Sequence, residues 1–395
     1  MKKLISLLLI LLLSAGLTAC SHDSADTGTE PEKVHNIGVI VYNLGSEEVI
    51  GVREYLQGYI ENNFEMVKFL YSDSIRDLEG ELSFIKDACE NGAEGFLSFT
   101  THDLKKEVEL CGEYGAYYML ASGTVSEEDF DSVADNPYFL GAFGPGNDEE
   151  YRIGADMARY FVNSGIGDRY FILSGGSPLG NEMHYLRTLG ILEALCSAYS
   201  VELSDDLNAL AHSADPVTVS DGALTVTVCP GYVDYEQYLV PAVESYEKAE
   251  YDCIMSVLPP SDMAERFGSV HAGVIDSYNT RNLQLFVDGS IEYVVGKYSS
   301  IVGPSFALML NAVTGYAKEF RADGKAVKAV QCFWVSESMD DYTPKYALSV
   351  SAGMNAYNFD DLSNVCRLFN PDASLSQLLE LASACGYDDV MARRS

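Results

Sequence analysis

The stretch His35-Asn-Ile-Gly-Val-Ile-Val-Tyr-Asn-Leu-Gly-Ser-Glu-Glu-Val-Ile-Gly-Val-Arg-Glu-Tyr-Leu-Gln-Gly58 decides how the chain reads. Residues 37–42 are apolar and rich in β-branched side chains, the mark of a strand buried on both faces. Asn43-Leu44-Gly45 is a turn. Beyond it Val49, Val52, Leu56 and Tyr59 fall three or four residues apart, so they share one helical face. Glu47 and Glu48 stand in the first turn, where carboxylates favour the helix dipole. Strand, polar turn and helix follow in order. In open parallel sheets ligands bind beyond the carboxyl ends of such strands, which makes Asn43 the first candidate contact.

The pattern recurs. Strands are predicted at 66–70, 95–99, 117–121 and 138–143, with helices at 75–91 and from Leu104, where Val108 and Cys111 share its face. The 95–99 strand ends in Thr100-Thr101-His102-Asp103, and the 138–143 strand in Gly144-Pro145-Gly146. A second series starts with a helix at 148–163. Strands at 170–173, 223–228, 253–258 and 272–275 then alternate with helices at 184–199, 235–249 and 263–267. Alternation at this spacing means βαβ units with right-handed crossovers and parallel sheets. Two such series predict an α/β protein of two Rossmann-like lobes with a cleft between them.

Lys2 and Lys3 precede the apolar run 4–13, and the segment ends in Leu17-Thr18-Ala19-Cys20. A basic start, a short apolar run and a small residue before the break describe a secretory signal, too short to span a membrane comfortably. The ending resembles the bacterial lipobox, so residues 1–19 are expected to be removed and Cys20 to carry lipid. Residues 20–35 have almost no apolar content and read as a flexible tether.

The chain has 395 residues, 47% hydrophobic and 21% charged, with a net charge of −34. That length supports two cores, and that composition a globular body. So acidic a surface repels phosphate backbones and excludes nucleic-acid binding. Eight cysteines follow Cys20, scattered and without a C-x-x-C pair, which fits neither a zinc site nor a disulfide framework; they read as buried free thiols, with one or two disulfides as the alternative outside the cytoplasm.

Catalytic signatures are missing. Ser177 in Gly175-Gly-Ser-Pro-Leu179 lacks the second glycine of a nucleophile elbow, and Pro178 has no N–H for an oxyanion hole. The first turn has one glycine, so there is no dinucleotide fingerprint, and no phosphate-binding loop occurs. The six histidines are dispersed, without a close helical pair for metal. The reading is that the chain is not an enzyme and calls for no cofactor.

Over residues 36–335 the order of elements resembles the type I periplasmic binding proteins, the ribose- and galactose-binding kind, which share their fold with LacI-type ligand domains. Asn43 matches the polar residue that follows the family's first strand. Thr101 stands where an acidic or polar residue follows the third. Arg187-Thr-Leu-Gly190-Ile191 matches an Arg-x-x-Gly-apolar pattern that opens the first helix of the second lobe. Gly273-Val-Ile-Asp276 is close to a Gly-apolar-Asp strand end. Lys297 stands where a Gln precedes a helix-opening glycine, here Gly303. The resemblance implies ligand binding by Asn43, Thr101, Arg187, Asp276 and Lys297. It implies a first lobe of 36–146 with 299–330 and a second of 147–298. Crossings near 143–147, 291–298 and 329–335 would act as hinges. Residues 303–320 are expected to form an amphipathic helix that returns to the first lobe. Residues 331–395 add a hinge strand and an extension, helical at 360–368 and 374–385, with Asp372 or Ser374 as a cap.

The expected function is a lipid-anchored extracytoplasmic protein that delivers a small solute to an ABC permease. The solute would be sugar-like, a nucleoside or a carboxylate. A sensory protein handing its occupancy to a membrane receptor kinase is the alternative, and a surface enzyme is the third reading. If Asp276 pairs one of Arg187 and Lys297, about one positive charge remains for a carboxylate, a phosphate or an acceptor-rich polyol.

Overall fold

The computed structural model describes residues 33–350 and 355–394. The predicted signal peptide, the expected lipidation position Cys20 and nearly all of the expected tether lie outside them. Strand β1 (His35–Val41) is buried along almost its whole length. Ser46 caps helix α1 (Glu47–Arg53) by accepting from the Val49 N–H at 3.3 Å, satisfying one of the donors a helix start leaves free. A π-helical turn, Glu54–Ile60, continues it. Val49, Val52 and Leu56 are buried on the predicted face, with Tyr59 packed against them.

The chain then alternates through β2 (Val67–Ser74), α2 (Leu78–Glu90), β3 (Ala93–Ser98), α3 (Leu104–Tyr114), β4 (Tyr117–Ala121), α4 (Glu127–Val133) and β5 (Phe139–Gly144). It leaves this sheet for α5 (Asn147–Asn163), β6 (Arg169–Ser174), α6 (Glu182–Tyr199), β7 (Val217–Ser220), β8 (Thr225–Pro230), α7 (Glu236–Tyr246), β9 (Cys253–Ser256), β10 (His271–Ser277), α8 (Thr280–Val287) and β11 (Tyr293–Lys297). It returns through α9 (Gly303–Asn311) and β12 (Val327–Val330), then crosses again to β13 (Trp334–Ser336).

Two sheets result. The first runs β12-β5-β4-β3-β1-β2, with every pair parallel. The second runs β13-β11-β10-β9-β6-β8-β7, parallel in its interior. Its two edge strands, β13 and β7, are antiparallel to their neighbours. These are the α/β lobes, and the chain passes between them three times. Gln331, fully buried, ties the three crossings together. Its N–H donates to the Gly144 carbonyl at 2.9 Å, and its side-chain amide donates to the Ile301 carbonyl at 2.9 Å.

Several details depart from the sequence reading. β11 is an integral strand of the second sheet, so the middle crossing follows Lys297 rather than spanning 291–298. The third crossing is not one strand over 329–335, because β12 and β13 belong to different sheets and break at 331–333. Helix α9 is not amphipathic. Every residue from Gly303 to Asn311 is buried, because the first sheet covers one side and the C-terminal tail the other.

That tail consists of α10 (Met339–Val350), α11 (Phe359–Ser363), α12 (Leu375–Ser383) and α13 (Tyr387–Arg394). It grips both lobes. On the second, Tyr342 stacks on Tyr278 with ring centroids 4.9 Å apart, and its hydroxyl donates to the Asn279 carbonyl. On the first, Phe359 packs against Phe64, and the Tyr55 hydroxyl donates to the Tyr357 carbonyl at 2.8 Å. Each aromatic pair adds about 0.5–1.5 kcal/mol beyond the area it buries. Ser374, one of the two expected caps, caps α12 and closes a capping box with Gln377.

Candidate functional site

Asn43 and Thr101 follow the first-lobe strands β1 and β3, Asp276 and Lys297 stand at the carboxyl ends of β10 and β11 in the second lobe, and Arg187 lies inside a helix. Asn43 follows β1. Its side-chain oxygen accepts from the Gly45 N–H at 3.0 Å, so it shapes the turn into α1. Thr101 follows β3, but its hydroxyl donates to Glu107 of α3 at 2.9 Å. The same Glu107 oxygen accepts from the N–H groups of His102 and Asp103 at 3.0 Å, and the other accepts from the Tyr118 hydroxyl. Glu81 accepts from the His102 N–H at 3.0 Å. Burial, and after it Glu107, pushes the Glu81 carboxyl up to about 9. The other Glu81 oxygen faces Nδ1 of His102 at 2.8 Å, and the buried acids Glu81 and Glu107 together pin the 100–103 loop.

Arg187 lies inside α6, the second long helix of its lobe rather than the first. The Arg-x-x-Gly spacing has a packing cause. A Cβ on Gly190 would lie 2.2 Å from the Tyr151 carbonyl oxygen, and one on Gly154 would lie 2.0 Å from that of Arg187. Only glycines let α5 and α6 approach this closely. That approach brings the Arg187 Nε to 2.6 Å from Glu150, a fully buried carboxylate. A second Arg187 nitrogen donates to the Val257 carbonyl at 3.0 Å. The partner of Arg187 is thus Glu150 and not Asp276.

Asp276 ends β10. Its carboxylate accepts from the side-chain amides of Asn279 at 3.0 Å and Asn282 at 2.7 Å. Burial, opposed by the Asn282 hydrogen bond and reinforced by Glu48, raises it to about 6. Lys297 ends β11 and is also buried. Its ammonium reaches the first lobe, donating to the Ser122 carbonyl at 2.9 Å and pairing with Glu48 at 3.6 Å. Ser122 holds a left-handed backbone, φ 62°, which is uncommon for a residue with a side chain. Both cations approach the Phe333 ring, Arg187 at 5.5 Å and Lys297 at 5.9 Å from its centre.

The lobes also meet elsewhere. Thr124 of the first lobe donates to Glu150 at 3.4 Å, and Arg76 donates to the Tyr235 hydroxyl at 3.0 Å. Beside Lys297 and Glu48 the cavity measures about 10 Å³, the room of roughly one water. Two buried polar atoms near Lys297 have no hydrogen-bond partner, the Ser122 hydroxyl and Nδ1 of His184. Burial, with Arg187 and Lys297 beside it, lowers the His184 imidazole to about 3, so it is neutral. Its ring meets Tyr232 edge-on. After the larger effect of burial, Glu48 raises Tyr42, whose hydroxyl donates to it at 2.9 Å in the same lobe, and Tyr232 of the second lobe.

The structure thus gathers Arg187, Asp276 and Lys297 near the crossings, leaves Asn43 at its turn, and commits Thr101 to α3. The sequence reading missed Glu48, Ser122, Glu150 and Tyr232 as candidate site residues. Glu48 and Glu150 look like ordinary first-turn helix acids; only the packing of α5 on α6 reveals Glu150 as the partner of Arg187, and only the meeting of the two lobes reveals Glu48 as the partner of Lys297. The expected surplus of positive charge is absent from these pairings. Each cation already faces a carboxylate, and Asp276 is an additional acceptor.

No protein-family model matches the chain, and no curated protein sequence matches it. Solved structures do. A solute-binding protein of an ABC transporter from Bacillus halodurans C-125, with bound myo-inositol, is 14% identical with a TM-score of 0.56, covering 81% of this chain and 99% of its own. The arabinose-transporter binding protein from Shewanella sp. ANA-3, bound to L-arabinofuranose, is 10% identical with a TM-score of 0.56, covering 79% and 94%. A "putative LacI transcriptional regulator" from Bacteroides fragilis is 12% identical with a TM-score of 0.54, covering 79% and 99%. Two α/β lobes, three crossings and these neighbours give the chain the type I periplasmic-binding-protein fold.

Proposed function

We propose that this chain is a lipid-anchored extracytoplasmic binding protein that encloses a small, neutral, polyhydroxylated solute between its lobes and delivers it to an ABC importer. One observation carries the reading. Among the described residues, Asp276, at the lobe interface, is held by the amide donors of Asn279 and Asn282 with no cation paired to it, while Arg187 and Lys297 are matched by Glu150 and Glu48. A carboxylate so placed suits hydroxyl donors, and it repels an anionic ligand. The unpartnered Ser122 hydroxyl and the neutral His184 imidazole supply further hydrogen-bonding positions. The fold neighbours with bound myo-inositol and arabinofuranose hold ligands of this class.

A thermal-shift screen across polyols, pentoses, hexoses, nucleosides and carboxylates tests it, since a ligand that binds only the folded state raises Tm. Stabilisation by a polyol or sugar, lost in Asp276→Ala, is the expected result. Stabilisation by a phosphate or dicarboxylate alone would refute the ligand class. The tail, which contacts both lobes, also favours a second reading, in which closure is reported to a membrane receptor kinase. Ligand-dependent association with a kinase ectodomain rather than a permease would select it.

A further inference from the structure

Cys332 lies in the third crossing, between β12 and β13, and Cys385 lies between α12 and α13 in the tail. Their sulfurs are 3.1 Å apart, and the Cys332 N–H donates to the Cys385 sulfur at 3.0 Å. Two further donors fix Cys385. Its carbonyl accepts from the Tyr298 hydroxyl at 3.0 Å and from Nε1 of Trp334 at 2.9 Å, and those two rings stack on each other. The tail residue is thus held by the middle crossing, through Tyr298, and by β13, through Trp334. Cys385 is buried and Cys332 half-buried, so a soluble reagent meets Cys332 first.

We propose that Cys332 and Cys385 form a redox-sensitive disulfide that staples the C-terminal tail to the third crossing. The oxidant is a small external disulfide. Cys332 gives up its proton and attacks one sulfur of that disulfide, which releases one thiol and leaves a mixed disulfide on Cys332. The Cys385 thiolate then attacks the Cys332 sulfur and expels the second thiol. Two protons and two electrons leave the pair, and the external disulfide becomes two thiols. The Cys332 N–H still donates to the Cys385 sulfur once Cys332 carries the mixed disulfide and so favours the Cys385 thiolate in the second step, whereas the hydrogen bond to Cys385, and after it burial, raises the Cys332 thiol and makes the first step the slow one. The bond would close a loop through the tail that also encloses β13 and α10–α12, so it constrains chiefly the unfolded chain. The inference rests on this geometry and not on the ligand.

The test uses the full chain with oxidised glutathione, followed by alkylation and peptide mass mapping without reductant. The expected product is a peptide pair joined through Cys332 and Cys385, lighter by two hydrogens, with a Tm roughly 5 °C above that of the reduced protein. Cys332→Ser, at the half-buried position, should lose both the crosslink and the Tm difference. Alkylation of both cysteines after oxidation, glutathione retained on Cys332, or a crosslink to another cysteine would overturn the proposal. So would a Tm difference that persists unchanged in Cys332→Ser.

Discussion

Lys297, at the end of a second-lobe strand, donates its ammonium proton to the backbone carbonyl of Ser122 in the first lobe, 2.9 Å away. The same ammonium is 3.6 Å from Glu48. One side chain therefore binds the lobes together beside the middle crossing. A hydrogen bond from a charged donor contributes about 1.5–3 kcal/mol, and here that free energy belongs to the closed state alone. Lys297→Met keeps the apolar stem and removes the donor. The variant should show a larger radius of gyration by small-angle scattering and bind its solute at least about tenfold more weakly. Equal radii and equal affinities would mean that Lys297 does not hold the cleft.

Arg187 and Glu150 form the most buried ion pair near the site, and its existence depends on Gly190. Removing one partner strands the other in a dry interior. Arg187→Ala or Glu150→Ala should each cost about 3–5 kcal/mol, read as a fall in the urea midpoint. The double variant Arg187→Met with Glu150→Leu should recover much of that loss, because no lone charge remains. Gly190→Ala should destabilise comparably, since its methyl must displace the Tyr151 carbonyl. Single variants as stable as the wild type would show that the pair is solvated rather than buried.

The lobes were legible because each strand end is followed at once by turn residues and then by a helical apolar face, as at Asn43 and Val49. Other features rest on partners far apart in sequence. Nothing near Arg187 points to Glu150, which belongs to another helix of the same lobe. Thr101 reads as a cleft residue until α3 brings Glu107 under it. Helices α7 and α10 contain Pro241 and Pro344, which by local preference end a helix. α7 is still recognisable as a helix, whereas α10 is overlooked. Packing of Tyr342 against Tyr278 and Phe286 supports α10 through its proline. The edge strands β7 and β13 span four and three residues, too short for an alternating pattern to stand out.

The attachment proposal rests on Leu17-Thr18-Ala19-Cys20. Cys20→Ala should release the protein from the membrane fraction of a cell, because lipid on that sulfur would be the anchor. Among the described residues no helix is long and apolar enough to cross a membrane, so these supply no helical span to replace it. Retention of Cys20→Ala in the membrane fraction, with the leader removed, would contradict lipid anchoring through this residue.

Glu81 gives stability a pH dependence whose sign is fixed by the direction of its shift. Its carboxyl titrates at about 9 in the folded protein against an ordinary value of 4.5, because burial and the neighbouring Glu107 disfavour its charge. The folded state therefore holds a proton that the unfolded state has lost throughout that interval. Stability falls wherever the folded state binds more protons than the unfolded state and pH rises. The contribution of Glu81 is complete below about 4.5 and is lost progressively up to about 9. Asp276, raised to about 6 from 3.8, adds a smaller loss of the same sign in a lower window. Glu81→Gln mimics the protonated acid and cannot ionise. Its unfolding midpoint should lie near that of the wild type at pH 5 and rise above it steadily toward pH 9. The 100–103 loop would then stay pinned to α3 at alkaline pH. A difference between the two proteins that stays constant across this range would show that Glu81 is already ionised at neutral pH.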